Sequence, residues 1–102
     1  MSFYDSGLVA NVIGVMSGTS LDGLDLAACS FTRNSSKWRF SIEAVRTVEY
    51  SSEWRQSLGT ALHLNAVDLL QLHFRFGRYI ADCVNMFISD YHLTKEQYAV
   101  AS

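Results

Sequence analysis

The most informative part of the chain is a hairpin at residues 13–25, which read Ile13-Gly14-Val15-Met16-Ser17-Gly18-Thr19-Ser20-Leu21-Asp22-Gly23-Leu24-Asp25. The segment begins as a β-branched strand, passes through a tight loop and returns toward a second strand. Gly18 and Gly23 have no Cβ, so the loop backbone can approach a polyanion and present N–H groups to it. Thr19 and Ser20 add hydroxyl donors. The pattern therefore predicts a hairpin that cradles phosphate groups.

Two carboxylates accompany these donors, and they predict a cation. Either Asp22 or Asp25 can orient Mg²⁺ through the water molecules that this ion retains. A carboxylate beside phosphate would be repelled without such a cation. We assign Gly18, Thr19, Ser20 and Gly23 to the phosphates, and Asp22 to hydrated Mg²⁺.

Better-known nucleotide and hydrolase motifs do not fit the loop. Gly18 and Gly23 have the spacing of a Walker A loop, but Leu24-Asp25 stands where that motif requires Lys-Ser/Thr. The sequence contains no G-x-G-x-x-G, and neither Ser17 nor Ser20 lies in G-x-S-x-G. A glycine-rich turn that merely reverses the chain stays open as an alternative, because Gly, Ser and Asp are common turn residues.

The run from Gly14 to Asp25 closely resembles the amino-terminal signature of the anhydro-N-acetylmuramic acid kinases. These are bacterial sugar kinases of the actin, hexokinase and heat-shock-70 ATPase superfamily. Every position of the family's ATP phosphate-binding hairpin matches here, so the resemblance extends the ATP site to the whole of Gly18, Thr19, Ser20, Leu21, Asp22, Gly23, Leu24 and Asp25. A looser resemblance covers Leu69–Asn85, where Phe76-Gly77-Arg78 stands for a Leu-Gly-Arg-like turn.

The resemblance implies an enzyme that uses ATP, Mg²⁺ and water to open the ring of 1,6-anhydro-N-acetylmuramic acid, giving N-acetylmuramic acid 6-phosphate and ADP in cell-wall recycling. It implies a cytoplasmic location and allows a homodimer. Family members are several-fold longer, and their Gly-Asp-Phe-Arg-like catalytic segment and the Gly-Ser/Cys-His-Gly-Gln-Thr-like loop do not occur here. We therefore expect residues 1–102 to be an amino-terminal part of the kinase, inactive and marginally stable alone. The alternatives are another sugar kinase or ATPase of the superfamily, or a non-catalytic binding or assembly domain.

Composition agrees with a small domain and excludes several classes. The 102 residues are 49% hydrophobic, which is enough for a core. A net charge of −2 with scattered basic residues argues against a nucleic-acid partner. The first residues lack the pattern of a signal peptide, and charges interrupt the longest apolar segment, so we expect no membrane span. Cys29 and Cys83 are expected to be buried thiols, and His63, His73 and His92 surface residues.

Three strands are predicted first. Val9–Met16 is a nearly continuous apolar run, typical of a central strand buried on both faces. Leu24–Thr32 and a third strand follow, separated by the polar turn at residues 33–37. Alternation in the third strand predicts one buried face that carries Trp38, Phe40, Ile42, Ala44, Val48 and Tyr50. Short turns between sequential strands indicate an antiparallel meander, the opening of an α/β, RNase H-like half-domain.

Two helices and a final strand complete the prediction. Ser51 or Ser52 caps a short helix that continues to about Leu62, with Trp54, Leu58, Ala61 and Leu62 on its inner side. Asn65 caps a longer helix over about residues 66–91, whose polar stripe consists of Asp68, Gln71, Arg75, Arg78, Asp82, Asn85 and Ser89. Gly77 in this helix predicts a close backbone contact, unless the glycine is simply tolerated there. Thr94–Gln97 reads as a turn, and Tyr98–Ala101 as a strand parallel to the first.

Overall fold

The computed structural model describes residues 8–17, 21–93 and 98–101. Its elements, in chain order, are β1 (Leu8–Ser17), β2 (Gly23–Asn34), β3 (Lys37–Glu49), α1 (Ser52–Gly59), a 3₁₀ turn (Ala61–His63), α2 (Ala66–Asp90) and β4 (Tyr98–Ala101). The predicted turn at Thr94–Gln97 lies outside the described residues, as do the predicted phosphate ligands Gly18, Thr19 and Ser20.

The sheet has the predicted topology. Its strand order is β3-β2-β1-β4. The first three strands form an antiparallel meander, and β4 pairs parallel to β1, with Val12 opposite Ala99. The crossover from β3 to β4 contains both helices, as a parallel connection requires. The predicted α/β class, with a three-strand meander, two helices and a parallel strand, is confirmed.

Both helices begin at predicted caps. The Ser51 hydroxyl accepts a hydrogen bond from the Trp54 N–H, and the Asn65 side chain accepts one from the Asp68 N–H. These bonds satisfy backbone donors that the first turn of a helix leaves free. The first helix is shorter than predicted, since it ends at Gly59 rather than near Leu62. Leu62 lies beyond the helix and is 96% exposed. Leu62 is therefore not on an inner helix face.

The core lies between one face of the sheet and the two helices. Ile13 from β1 and Leu24 and Leu26 from β2 are buried there against Phe87 of α2. Trp54 and Leu58 of α1 pack at its edge, as predicted. All members of the predicted polar stripe on α2 are exposed. Nothing lies within 4 Å of the position where a Cβ would stand at Gly77, so the predicted close contact is not made there within the described residues. The sheet and the crossover helices thus share a single hydrophobic layer.

The opposite face of the sheet is bare in the described part of the chain, which corrects two predictions. Met16 is exposed, so β1 is not buried on both faces. Trp38, Phe40 and Ile42 are also exposed, although their alternation with Ala44 suggested a common buried face. The cause is a β-bulge: Ala28 pairs with Ala44 while Cys29 pairs with Ile42, which leaves Glu43 as an extra residue and reverses the alternation.

The histidines and cysteines do not cluster in the described part of the chain. The described residues contain no group of three or more His, Cys, Asp or Glu that could hold a metal ion. His63, His73 and His92 are exposed, as predicted. Cys29 and Cys83 are free thiols, half-buried rather than buried. In the described residues, no helix has the length and apolarity needed to span a membrane.

Candidate functional site

The candidate site is the β1–β2 hairpin. Ser17 is the last residue of β1 and pairs with Leu24 near the start of β2, so the ladder closes immediately beside the loop. Leu21 has a positive φ of 59°, which is uncommon for a residue with a branched side chain. Its side chain lies beside α1, where its Cδ1 atom would be 3.8 Å from a Cβ at Gly59. The second half of the loop is therefore held by contacts as well as by the ladder.

Tyr50 holds the base of the hairpin on both sides. Its backbone N–H donates to the Asp22 carbonyl at 3.0 Å, and its hydroxyl lies 2.7 Å from the Ser17 hydroxyl. The Tyr50 side chain is only 3% exposed, so these bonds join the loop to the core. The residue after β3 thereby fixes where the β1–β2 loop begins and ends.

Aromatic rings hold Tyr50 in this position. Its ring contacts Phe76 and Tyr79 of α2, and Trp54 of α1 packs against both of these. Burial raises the pKa of Tyr79 to about 12, with a smaller contribution from its hydrogen bond with Cys83. Burial likewise raises the pKa of the Cys83 thiol. The Tyr79 hydroxyl and the Cys83 thiol therefore stay neutral at physiological pH, because burial disfavours their charged forms.

Gly23 has a structural reason to be glycine. A Cβ at this position would lie 2.5 Å from the Val48 carbonyl oxygen and 3.2 Å from the Glu49 Cα. Such a distance to backbone atoms cannot be relieved by rotating a side chain. The close approach of Gly23 is therefore to the neighbouring strand β3, in addition to any contact with phosphate.

Two carboxylates stand beside the loop. Asp22 is exposed, and its backbone carbonyl is already occupied by the Tyr50 N–H. Asp25 is exposed on the bare face of the sheet, where its Oδ1 atom accepts a hydrogen bond of 2.6 Å from the Thr47 hydroxyl. Leu24 lies between them with its side chain fully buried in the core. Asp22 and Asp25 can thus offer side-chain oxygens to a ligand, whereas Leu24 can offer only its backbone.

An open depression of about 710 Å³ adjoins the hairpin on the bare face. Gly14, Met16, Ala27 and Val45 give it a mainly apolar floor. Asp25, Arg46 and Thr47 are the polar residues of its lining. The described residues therefore offer a polar loop beside a wide apolar surface.

Tyr50 and Thr47 are the residues that the sequence prediction missed as parts of this site. Thr47 contacts Asp25 because these residues pair across β2 and β3. The even alternation of Ala44, Val48 and Tyr50 was visible in the sequence and correctly indicated burial of Tyr50. Its contact with the hairpin was not visible, because that contact depends on strand register.

The fold and the hairpin together define an α/β protein with an open mixed sheet and a glycine loop between its first two strands. The family model for anhydro-N-acetylmuramic acid kinase matches residues 10–102. The chain belongs to this family.

Curated relatives agree with the family assignment. The chain is 32% identical over 95 residues to the anhydro-N-acetylmuramic acid kinase of Pseudoalteromonas translucida, a match that covers 88% of this chain and 24% of that protein. It is 33% identical over 94 residues to the enzyme of the same name from Legionella pneumophila, again covering 88% of this chain and 24% of the relative. A match to the Pseudoalteromonas atlantica enzyme has 38% identity over 61 residues, or 60% of this chain and 15% of that one. The chain thus spans about a quarter of the length of the first two relatives.

Proposed function

We propose that residues 1–102 are the amino-terminal, phosphate-binding part of an ATP-dependent kinase that acts on 1,6-anhydro-N-acetylmuramic acid. The proposal rests on the β1–β2 hairpin of this chain, which belongs to the kinase family. The loop of this hairpin is fixed at its base by Tyr50 and is flanked by two exposed carboxylates. Tyr50 holds Ser17 and Asp22, the two ends of the loop, in place before a ligand arrives, which reduces the cost of binding.

The hairpin contributes position and charge rather than covalent chemistry. Phosphoryl transfer depends mainly on alignment of the reactants and stabilisation of charge. In this proposal Gly18, Thr19, Ser20 and Gly23 provide backbone and hydroxyl donors for the phosphates. The bonds from Tyr50 keep the ends of the loop from spreading when those donors engage a ligand.

The donor chemistry beside the loop fits a magnesium ion. Mg²⁺ prefers oxygen ligands and is usually bound through one or two carboxylates, retained waters and substrate phosphates. Asp22 is exposed at the end of the loop, and its carboxylate has no hydrogen-bond partner among the described residues. Asp25 is already oriented by Thr47. Asp22 would therefore hold the hydrated ion, which supplies positive charge to the phosphates, while Asp25 stabilises the β2 side of the loop.

The proposed reaction uses ATP and water to open the anhydro ring and phosphorylate O6, giving N-acetylmuramic acid 6-phosphate and ADP. The sugar and ATP are the proposed small-molecule partners, and we propose neither a nucleic acid nor a membrane partner. The acidic balance of the chain supports the first exclusion. We propose a cytoplasmic location for this reaction, because ATP is made and used there.

The test is a magnesium titration of the full-length kinase that contains this segment. Asp22→Asn keeps the size of the side chain but removes its charge, so we expect a higher Mg²⁺ requirement and lower turnover with unchanged thermal unfolding. Asp82→Asn is the matched control, because Asp82 is an exposed aspartate on the polar stripe of α2. ADP and sugar phosphate are measured together. An Asp22→Asn enzyme with the Mg²⁺ dependence of the control would remove Asp22 from the proposed site.

A further inference from the structure

Strand β3 lies at an edge of the described sheet, because the strand order is β3-β2-β1-β4. Among the described strands, β3 pairs only with β2, on its inner side. An edge strand directs backbone N–H and C=O groups outward, where they can pair with another extended chain. Proteins often keep such edges short, but β3 has 13 residues. Its outer side is therefore a long template for a further strand.

The bulge at Glu43 divides this edge into two parts, because a bulge bends a strand and disrupts its ladder. Residues 37–42 lie before the bulge and pair regularly with β2, from Lys37 opposite Asn34 to Ile42 opposite Cys29. All six are exposed, and we call this segment the β3 edge. β2 has 12 residues, so the β3 edge begins roughly 35 Å from the phosphate hairpin at about 3.3 Å per residue.

Three large apolar side chains stand on one face of the β3 edge. Trp38, Phe40 and Ile42 are 55%, 69% and 59% exposed. Two of them contact side chains of β2. The rings of Phe31 and Phe40 have centroids 6.2 Å apart, and the Arg33 guanidinium carbon lies 5.8 Å from the centroid of the Trp38 ring. Rings that are already held in place lose less side-chain entropy when a partner binds.

The positive charges of the β3 edge stand on its other face. Strand alternation directs Lys37 and Arg39 away from the face that carries Trp38 and Phe40. Both basic side chains are exposed, and neither forms an ion pair with a residue that the structure describes. The sequence has no acidic residue at positions 26–42. The β3 edge is therefore apolar on one face and positively charged on the other.

We propose that the β3 edge binds an extended segment of a partner protein in which acidic and apolar residues alternate. The segment adds a strand to the sheet, and its backbone pairs with the outward N–H and C=O groups of β3. Its acidic side chains lie beside Lys37 and Arg39. Its apolar side chains pack beside Trp38, Phe40 and Ile42, as neighbours across a strand pair do.

The separation of the charges from the aromatic rings favours this partner over other occupants. A membrane or a nucleic acid would approach one face of the sheet and meet either the charges or the rings. The side chains of an added strand reach both faces. A second copy of β3 would place Lys37 and Arg39 of both copies on one face, where like charges repel. The β3 edge is remote from the phosphate hairpin, so the proposal holds or fails independently of the kinase function.

Fluorescence anisotropy of a labelled peptide tests the proposal on the full-length kinase that contains this segment. The probe is an octapeptide of alternating Glu and Val, and the reference peptide has Lys in place of Glu. We expect saturable binding of the Glu-Val peptide and none of the Lys-Val peptide. Trp38→Ala and Arg39→Glu should each raise the dissociation constant roughly tenfold or more. A Glu-Val peptide that does not bind, or that binds no better than the Lys-Val peptide, would overturn the proposal.

Two matched variants control for unspecific effects of the substitutions. Leu62→Ala removes an apolar side chain that is 96% exposed outside the sheet, and Arg55→Glu reverses an exposed charge on α1. Both should leave the dissociation constant unchanged. Thermal unfolding of all four variants shows whether each one is folded at the temperature of the assay. Equal loss of binding in the control variants and in the β3 variants would contradict a site at the β3 edge.

N-methylated peptides test the backbone pairing. In an extended peptide the N–H groups of successive residues point to opposite edges, so methylation of every Glu nitrogen blocks one edge and methylation of every Val nitrogen blocks the other. One of these two peptides should lose binding and the other should keep it. Binding by both would show that side chains alone make the contact, which would exclude an added strand.

The other occupants are tested with the same variants. Vesicles of phosphatidylglycerol and a 12-nucleotide oligothymidylate replace the peptide in the binding assay. If either one bound in place of the peptide, and Trp38→Ala and Arg39→Glu removed that binding, the β3 edge would belong to that partner and the proposal would be wrong. A Trp38→Ala variant whose oligomeric state differs from that of the parent kinase in sedimentation velocity would instead assign the β3 edge to a second copy.

Discussion

The hydroxyl groups of Ser17 and Tyr50 lie 2.7 Å apart, although 33 residues separate them in the chain. Ser17 ends β1, and Tyr50 follows β3. The bond therefore connects two strands that are separated in the sheet by β2. The backbone of Tyr50 also donates to Asp22 on the other side of the loop. The shape of the β1–β2 hairpin is thus determined partly by a residue outside the hairpin.

Removing the Tyr50 hydroxyl should weaken this connection without disturbing the core. Tyr50→Phe keeps the ring contacts with Phe76 and Tyr79 but loses the bond to Ser17. We expect a loss of about 1 kcal/mol in the free energy of unfolding, the usual net value of one hydrogen bond. Urea unfolding measures it. Ser17→Ala in the Tyr50→Phe background should then add almost nothing, and full additivity of the two losses would show that the bond is not formed.

Gly23 and Gly14 form a matched pair for testing close approach. Gly23→Ala places a methyl group 2.5 Å from the Val48 carbonyl oxygen, so β2 and β3 must separate locally. We expect a cost of about 1–3 kcal/mol, as for other overpacked sites. Gly14→Ala meets its nearest neighbour, the Ala27 carbonyl oxygen, only at 3.9 Å and should be close to neutral. Equal shifts in the urea midpoint for the two variants would contradict the tight contact at Gly23.

Two phenylalanines on α2 test which face of the helix is buried. Phe87 is fully buried and Phe74 is 67% exposed, so the same substitution should have different costs. We expect Phe87→Ala to cost about 3–5 kcal/mol, from lost burial and the cavity that remains. Phe74→Ala should cost less than about 0.5 kcal/mol when unfolding is measured at low protein concentration. Similar melting temperatures for the two variants would mean that the helix face is wrongly assigned.

Alkaline unfolding tests the environment of Tyr79. Its pKa is raised from 10.0 to about 12 because burial disfavours the charged phenolate. A raised pKa in the folded state means that the unfolded chain loses its proton first. The stabilising contribution is therefore complete below pH 10 and disappears as the pH rises through 12. Tyr79→Phe should lose stability less steeply than the parent chain over this interval in pH-dependent urea unfolding. Parallel curves would show that Tyr79 titrates normally in the fold.

Local patterns predicted the secondary structure well, because they depend on neighbouring residues. Ser51 and Asn65 cap helices through their own first turns, so the sequence alone located both starts. The polar stripe of α2 likewise follows from the helical repeat. The bulge at Glu43 escaped prediction because it arises from pairing between β2 and β3, and a single extra residue moves Trp38, Phe40 and Ile42 to the other face.

The candidate site divides in the same way between sequence and tertiary structure. The sequence by itself determined the chemistry of the hairpin, because glycines, hydroxyls and carboxylates at these positions restrict what the loop can bind. Only the tertiary structure decided that Leu24 is buried, that Gly23 faces the backbone of β3, and that Thr47 and Tyr50 support the loop. The physical reason is that residue type sets which bonds a side chain can make, whereas strand register sets which partner lies within reach.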